Sequence, residues 1–553
     1  VGDALRREAV ALEQPGHRRA LREAVAHAQA HQPRAGAGLG QHLGHRRAQA
    51  ADDRVVLHRH DQAPARELPL DAEQTAFVRR LARRTWAYFD HYAGAASQWL
   101  PPDNVQESPA PAVAERTSPT NVGMALASGL AAVDFGYLTP GGFLFRTTRT
   151  LDVLERLERY RGHFYNWYDT RTLKPLHPLY VSSVDSGNLA AMLIVVREGL
   201  AEMTRGPVLP ARWKDGLEDA ADLLLQEIET ARERPDQALS PAELDRAAVQ
   251  IRAGIEAVRR AAPPLRDGLR ALDAFRTGLA ELAAALAPDE PLSFWREALH
   301  RQCADLAGEI RHFAPWAEAE PPPLPAAAAA GDNGPRWADL PAEAETAPTL
   351  EALATLRHRW EPRLAQAAGS EFARRWMEWL PLASARAADR IAELRQIAGR
   401  CTELSEHDLD FLYDADRKLL AIGYNLDARK RDPSFYDLLA SECRLGSFIG
   451  VARGLLPLEH WFRLGRRLAP GGGPPVLASW SGSMFEYLMP MLVMPTYEGT
   501  LLQATCRGAV HRQIRYGRET GIPWGISESG YNQLDAGHVY QYRPFGVPLL
   551  GMK

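Results

Sequence analysis

Hydrophobic positions recur with the spacing of helices along most of this chain of 553 residues. From about residue 72, segments such as QTAFVRRLARRTWAYFDHY and FLFRTTRTLDVLERLERY place apolar side chains every three or four residues, as amphipathic helices do. Ser118 followed by Pro119 predicts a helix start, because serine caps helices and proline suits their first turn. A loop followed by a helix is the repeating unit, and short strands are predicted within FLYDADRKLLAIGYN.

Changes in composition divide the chain into four regions. Residues 1–71 contain no aromatic residue, serine, threonine or lysine, which predicts either a disordered Arg/His-rich tail or non-native sequence read in the wrong frame of a GC-rich gene. Residues 72–200 and 405–553 alternate helical patterns with loops rich in aromatic and polar residues. Residues 201–404 are rich in Ala, Leu, Glu and Arg, which predicts a helical insertion with a flexible Pro/Ala linker near 321–335.

This arrangement predicts a mainly α fold. A chain of loop-helix units that carries its polar and aromatic residues in the loops favours an α/α barrel. In such a barrel, loops at one end of an inner ring of helices surround a concave site. We expect 72–200 and 405–553 to form the two parts of this barrel.

The overall charge and the cysteines exclude several classes of function. A formal net charge of −4 is nearly balanced, so nothing points to nucleic acid or to an anionic membrane surface. The four cysteines are scattered without CxxC spacing, which favours a reducing compartment over a zinc site or a disulfide framework. No signal peptide or membrane span is recognisable, and we expect a cytoplasmic protein.

The familiar cofactor and nucleophile motifs have no counterpart in the sequence. We find no P-loop, no GxGxxG opening a helix after a strand, no HExxH and no GxSxG elbow. The sequence therefore favours an acid/base enzyme that needs no metal and no cofactor.

Glu442, in RDPSFYDLLASECRLGSFIG, is the first candidate for chemistry. Asp432 as N-cap and Pro433 at the first position predict a helix in which Glu442 is the tenth residue. Its neighbours on the same face would all be apolar: Leu438, Leu439, Leu445 and Ile449. A carboxylate in such a stripe either pairs with a base or raises its own pKa, and Gly446 would leave space beside it. The alternatives are a general acid and a buried structural ion pair.

Three further carboxylates lie in informative places. Glu528, in the turn-like WGISESGYN, can face a cleft or simply be exposed to solvent. Glu486 precedes Pro490, where its helix must kink or stop, which favours a structural role over substrate contact. Asp185 falls in the first turn of a predicted helix, where the helix dipole alone can explain it, and is a reserve candidate for a base. Two carboxylates in different surroundings suggest glycoside chemistry.

Aromatic residues and amides crowd the same loops. Most aromatic side chains in proteins are core, but the combination Tyr-Asn-Trp-Tyr-Asp provides flat apolar faces beside hydrogen-bonding groups, which a sugar ring requires. The candidates for binding substrate are Arg116, Asn121, Tyr165, Asn166, Trp167, Asp185, Asn188, Trp480, Glu486, Trp524 and Tyr531.

Seven motifs in order carry a resemblance to a known family. These are TSPTNVGM, HFYNWYDT, YVSSVDSGNL, FLYDADRKLLAIGYN, FYDLLASECRLGSFI, SWSGSMFEYLMP and WGISESGYN. Together they resemble the glycoamylase-like domain of cyclic β-1,2-glucan synthases, which is similar in fold to endo-β-1,2-glucanases. The match covers about 77–200 and 405–553.

The resemblance implies an (α/α)6 barrel that acts on linear β-1,2-glucan with retention of configuration and joins the ends of the chain into a ring. On the matching positions, Glu442 would be the acid/base catalyst and Glu528 the nucleophile. The implied partners are β-1,2-glucan chains and the glycosyltransferase and phosphorylase-like regions of a full synthase. The resemblance also implies a location on the cytoplasmic face of the inner membrane.

The sequence departs from the family at its end. It stops at PFGVPLLGMK, before the stretch in which family members finish the last helices of the barrel, so a C-terminally truncated barrel is expected. Two alternatives stay open, an endo-β-1,2-glucanase that uses water as acceptor and an inactive glucan-binding fragment.

Overall fold

The computed structural model describes residues 70–552, with gaps at 107–110, 236–238, 262–264, 326–335, 347, 470–474, 496, 498, 528, 535–539 and 544. For 529–534 and 540–543 it describes the backbone alone. Nearly all of the predicted tail 1–71, and most of the linker predicted near 321–335, therefore lie outside the described residues.

The described part of the chain is mainly helical, as the hydrophobic pattern predicts. Its helices are α1 (Ala72–Tyr92), α2 (Pro119–Asp134), α3 (Pro140–Leu154), α4 (Ser183–Met203), α5 (Trp213–Glu233), α6 (Pro241–Arg260), α7 (Leu265–Glu281), α8 (Ala283–Leu286), α9 (Glu290–Phe313), α10 (Asp339–Glu345), α11 (Leu350–Gln366), α12 (Glu371–Leu404), α13 (Arg444–Ala452), α14 (Leu458–Arg463), α15 (Met484–Leu488) and α16 (Leu501–Thr520). Short 3₁₀ turns occupy Ala95–Ser97, Pro315–Glu318 and Met489–Leu492. Among the described residues, no helix is long and apolar enough to cross a membrane.

The strands are short and pair close to the helix starts. They are β1 (Val105–Gln106), β2 (Ala112–Val113), β3 (Arg116–Thr117), β4 (Arg159–Tyr160), β5 (His163–Phe164), β6 (Tyr168–Asp169), β7 (Tyr180–Ser182), β8 (Tyr413–Asp414), β9 (Leu419–Leu420), β10 (Gly423–Asn425), β11 (Lys430–Arg431), β12 (Leu468–Ala469), β13 (Val476–Leu477), β14 (Ser529–Leu534) and β15 (Tyr540–Arg543). The strands predicted within FLYDADRKLLAIGYN are confirmed as β8, β9 and β10. Strand β10 pairs antiparallel with both β7 and β11, which brings the regions before and after 201–404 together.

Helix α4 is the centre of the fold. Its sequence LAAMLIVV, residues 189–196, is continuously apolar, and the helix is buried on all faces from Ser186 to Val196. Helices α2, α12 and α13 pack around it. A helix that is hydrophobic all round must be enclosed by others, so α4 fixes the positions of the helix starts beside it.

Two glycines set the closest of these approaches. A Cβ atom added to Gly187 of α4 would lie 2.4 Å from the Cα of Gly446 in α13, and one added to Gly446 would lie 3.0 Å from the Cα of Gly187. The two backbones are therefore in contact where the helices cross. The space expected beside Gly446 is filled by α4, and that expectation from the sequence is wrong.

The predicted helical region 201–404 is helical, but its parts pack differently. At its start and end, Val208 N donates to Pro348 O at 3.1 Å and Leu350 N donates to Gly206 O at 3.0 Å. The two ends of the segment 208–348 are therefore adjacent where they connect to the rest of the chain. Helix α12, which follows, packs directly against α3 and α4 and is part of the main core.

Candidate active site

A cavity of about 830 Å³ opens where several helices begin. The starts of α2 and α4, the turn before α13 and the first turn of α15 all contribute to its lining. Nine of the residues singled out from the sequence line it: Arg116, Asn121, Asn166, Trp167, Asp185, Asn188, Trp480, Glu486 and Glu442.

Glu442 lies in a turn that ends immediately before α13, and it is half-buried. The helix predicted to start at Asp432 does not form, because this stretch pairs with other segments: Phe435 bridges to Ala421 and Leu438 bridges to Gly465. The predicted helix start is therefore wrong. Glu442 Oε2 accepts a hydrogen bond from Ser441 Oγ at 3.1 Å.

Arg444 anchors the turn that carries Glu442. Its buried guanidinium group donates from Nη1 to the carbonyl oxygens of Ser441 and Glu486, both at 2.9 Å, and from Nη2 to that of Tyr487 at 2.6 Å. These bonds join the start of α13 to α15. The turn that carries Glu442 is therefore held in place by both α13 and α15.

Asp185 is a second carboxylate in the cavity wall. Its Oδ1 accepts from Thr120 Oγ1 at 2.5 Å. With its amide group oriented for hydrogen bonding, Asn166 donates from Nδ2 to Asp185 Oδ2 at 2.9 Å and accepts from Trp167 Nε1 at 3.0 Å. Burial raises the pKa of Asp185, and the hydrogen bonds from Ser182 and Thr120 oppose this shift. The side chain is therefore fixed in orientation and is less acidic than a solvated aspartate.

Tyr436 is a lining residue on which both of these carboxylates act. Burial is the largest cause of a pKa for Tyr436 well above its usual value, and the nearby carboxylates of Glu442 and Asp185 act in the same direction. Tyr436 thus contributes a protonated hydroxyl group, a hydrogen-bond donor and acceptor, to the cavity lining.

Arg116 and Trp167 form one side of the cavity. The guanidinium group of Arg116 lies 4.5 Å from the centre of the Trp167 ring, a cation–π contact. The carboxylate of Asp103 orients this side, since it accepts from Arg116 Nη2 at 3.2 Å and from Asn121 Nδ2 at 3.2 Å. An indole face and a row of polar groups are thus held in fixed positions.

Glu486 lines the cavity, yet its carboxylate is saturated with donors. Its Oε1 accepts from Trp480 N at 2.9 Å, and its Oε2 accepts from Ser481 Oγ at 2.6 Å and from both the backbone and the hydroxyl group of Ser483 at 3.0 Å. It also completes the capping box of α15. Glu486 therefore fixes the turn that positions Trp480, whose indole Nε1 has no hydrogen-bond partner among the described residues.

Four of the predicted site residues are not part of the described lining. Tyr165 is buried in the core, where its hydroxyl group contacts Glu158. Trp524 is 54% exposed and does not border the cavity. Glu528 lies outside the described residues, and only the backbone of Tyr531, in β14, is described.

The sequence did not point to several residues of this site. Tyr180, Phe435, Tyr436 and Phe485 line the cavity, and Asp103 orients two lining side chains. Tyr436 lies six positions before Glu442 in a motif already singled out, which is the one signal that could have marked it. Asp103 acts through contacts across the chain that no local pattern shows.

Comparison with known proteins identifies a relative for most of the chain. The chain is 37% identical over 495 residues to the cyclic β-(1,2)-glucan synthase NdvB of Rhizobium meliloti (strain 1021). This chain is related to a segment of that synthase. The alignment covers 88% of the chain and 15% of the synthase. The resemblance inferred from the seven motifs is thereby confirmed, and the chain spans a small part of the length of its relative.

Solved structures show weaker likenesses. A candidate glucoamylase from Bacteroides fragilis NCTC 9343 is 20% identical with a TM-score of 0.20, over 32% of this chain and 43% of that one. A candidate glucoamylase from Bacteroides caccae ATCC 43185 is 21% identical with a TM-score of 0.19, over 30% and 42%. TM-scores this low carry no conclusion about topology. No family model matches the chain.

Proposed function

We propose that this chain is a retaining transglycosidase that acts on linear β-1,2-glucan and closes it into cyclic β-1,2-glucan, as part of a larger synthase. The proposed fold is an (α/α)6 barrel whose inner helices surround the cavity. Its partners would be β-1,2-glucan chains and the glycosyltransferase and phosphorylase-like regions of that synthase. Two observations together carry the proposal: the chain is 37% identical to a cyclic glucan synthase, and carboxylate, amide and indole groups of the motifs singled out from the sequence line one cavity.

In the proposed mechanism, Glu442 protonates the oxygen of the glycosidic bond while the carboxylate of Glu528 attacks C1. The C1–O bond breaks, the reducing-end part of the chain leaves with the proton, and a glycosyl-enzyme ester forms. The 2-hydroxyl group at the far end of the same glucan then attacks C1. Glu442 accepts its proton and the Glu528 carboxylate departs, so that the ring closes without net consumption of water.

The cavity supports this chemistry in two ways. Arg116, Trp167 and Asn166 are held by partners within the protein, so they can orient a sugar ring at little entropic cost. Tyr436 and Asn188 add hydroxyl and amide groups for the substrate, and Asn188 Oδ1 has no hydrogen-bond partner among the described residues.

The test is the substitution Glu442→Gln, which keeps the shape of the side chain and removes its acid function. We expect turnover of linear β-1,2-glucan to fall on the order of 10²- to 10⁴-fold, the contribution of a general acid. Mass spectrometry of the products of the unsubstituted chain should show glucans lighter by one water than linear chains of the same length. Glucan binding by the variant should survive.

Glu459→Gln is the matched control, because Glu459 lies on the exposed surface of α14 and away from the cavity. It should retain full turnover. Full turnover by Glu442→Gln would remove Glu442 from the mechanism. Shorter linear products alone would favour a glucanase, and a folded chain that binds glucan without changing it would favour a non-catalytic role.

A further inference from the structure

A second cavity, of about 530 Å³, lies apart from the candidate active site. It is bordered by α1, α3, α9 and α12, and it shares no lining residue with the first cavity. Helix α2 starts at the first cavity, and the chain reaches the second at Tyr137, just past the end of that helix. At about 1.5 Å per residue, these points are roughly 25 Å apart.

Arg83 is the most unusual side chain of this second cavity. It is 2% exposed, and neither its Nε nor its Nη1 atom has a hydrogen-bond partner among the described residues. Its guanidinium group lies over the rings of Tyr137 and Trp295, at 5.4 Å and 5.2 Å. These contacts offset part of the cost of burying the charge but leave N–H donors unsatisfied.

Unsatisfied acceptors belong to the part of the lining that α9 supplies. Gln302 donates from Nε2 to Gly136 O at 2.9 Å, whereas its Oε1 atom has no partner among the described residues. Glu309 Oε1 accepts from Gly141 N at 2.7 Å and from Arg390 Nη1 at 3.2 Å, whereas its Oε2 atom is left without one. Both side chains are more than nine-tenths buried.

Aromatic rings complete the lining. Trp86, Trp99 and Phe145 border the cavity, and the rings of Trp99 and Phe145 meet edge to face at 5.3 Å. Phe145 is 50% exposed, although it lies in a helix that is otherwise well packed. An exposed phenylalanine beside a half-buried tryptophan gives the cavity an apolar platform at its mouth.

The lining of this cavity discriminates between classes of ligand. It carries both signs of charge, with Arg83, Arg301 and Arg390 beside Asp90, Asp305 and Glu309, so an inorganic anion would meet carboxylates as well as guanidinium groups. A sugar hydroxyl group both donates and accepts, so a glucosyl segment can match such a mixed lining while the flat face of a ring packs on an aromatic side chain. We propose that the second cavity binds a glucosyl segment of a β-1,2-glucan chain. The linkage of the sugar rests on the function proposed above.

The function of such a site follows from its distance from the candidate active site. A chain that is to be closed into a ring must have its remote part held while its end reacts, and a second contact raises the effective concentration of that end. The second cavity would therefore retain the growing or reacting glucan without touching the bond that is cleaved.

The test measures hydrogen exchange of the Glu442→Gln chain, which keeps the substrate intact, over a concentration series of short linear β-1,2-glucooligosaccharides. We expect backbone protection in 139–146 and 301–309, with a saturation curve that gives the dissociation constant of this site. Phe145→Ala should raise that constant roughly three- to tenfold, the loss expected for one aromatic contact. Protection near Glu442 should be unchanged.

Phe462→Ala is the matched control, since Phe462 is also 50% exposed and does not line either cavity. It should leave both saturation curves unchanged. Saturable protection of 139–146 that weakens in Phe145→Ala would support the site even if Glu442→Gln retained full turnover, so this inference and the proposed function can fail separately. Absence of protection at 139–146, protection by inorganic phosphate instead of the sugar, or equal affinity of the two phenylalanine variants would overturn it.

Discussion

Asp185 is a largely buried carboxylate whose two oxygens accept hydrogen bonds from Thr120 and Asn166. Burial raises its pKa in the folded protein, whereas the unfolded chain has the ordinary value of about 3.9. Below the unfolded-state pKa, Asp185 is protonated in both states, and its contribution to the free energy of unfolding is fully present. As the pH rises through the window up to the raised value, the folded state retains its proton longer, so the free energy of unfolding falls.

We therefore expect Asp185→Asn to flatten this part of the pH dependence, because asparagine has no charge to bury. The measurement is the free energy of unfolding from urea titrations at several pH values across the acid range. Asp416→Asn is the control, since Asp416 is exposed in a surface turn, and its curve should run parallel to that of the unsubstituted protein. Parallel curves for Asp185→Asn as well would show that Asp185 does not bury its charge on folding.

Nine of the side chains that line the first cavity were predicted from residue type and from their position in loops. This succeeded because loops that precede helices with the same direction meet at one end of those helices. Trp524 and Tyr165 belong to the same compositional class, yet one is exposed and the other is core. Composition cannot separate these cases, since each depends on which neighbour covers the ring. The roles of Glu442 and Glu528 stay predictions that kinetics must test.

At the scale of elements, the crossing of α4 and α13 determines where Glu442 lies. Gly187 and Gly446 meet backbone to backbone, and α13 begins two residues after Glu442. We expect Gly187→Ala to destabilise the fold by about 1–3 kcal/mol, the range for overpacking, and to lower turnover by moving the turn before α13. Thermal melting and glucan turnover measure the two effects.

Gly399→Ala is the matched control for this crossing. Gly399 lies inside α12, and an added Cβ atom would meet nothing within 4 Å. Alanine there should stabilise the protein by about 0.5–1 kcal/mol through the unfolded chain and helix propensity, with turnover unchanged. If both alanine variants behaved alike, close backbone contact would not be what positions α13.

Helix starts also show what local signals can and cannot predict. Ser118 with Pro119 predicts α2 correctly, because the cap is a contact within four residues. Asp432 with Pro433 has the same local signal and does not start a helix, because Phe435 and Leu438 bridge to Ala421 and Gly465. Pairing between distant segments overrode the cap, and such pairing leaves no local trace in the sequence.

At the scale of the whole molecule, the two ends of segment 208–348 lie side by side where the segment connects to the rest of the chain, and its helices pack against helices outside the segment. Helix α9 packs on α12 and α5 packs on α1. We expect replacement of 208–348 by a short Gly/Ser linker to leave the residues of the candidate active site in place and to lower the melting temperature by several degrees, because apolar faces of α1 and α12 become exposed. Circular dichroism on heating measures this change.

The same replacement removes Gln302 and Glu309, so oligosaccharide protection at 139–146 should disappear while cleavage at the first cavity persists. An unchanged melting temperature would mean that the segment contributes nothing to the main core. Loss of all turnover in a chain that still melts cooperatively would mean that the first cavity depends on the segment for its shape.

The hydrogen bonds between 206–208 and 348–350 also bear on how such genes change length. An in-frame insertion, deletion or exchange whose boundaries fall at these two places leaves the flanking backbone ends already adjacent. We therefore expect changes in length between these codons to disturb the positions of Asp185 and Glu442 least. Recombination at this junction keeps the flanking backbone ends within bonding reach of each other. Packing of the exchanged segment against α1 and α12 then decides which recombinant proteins are stable.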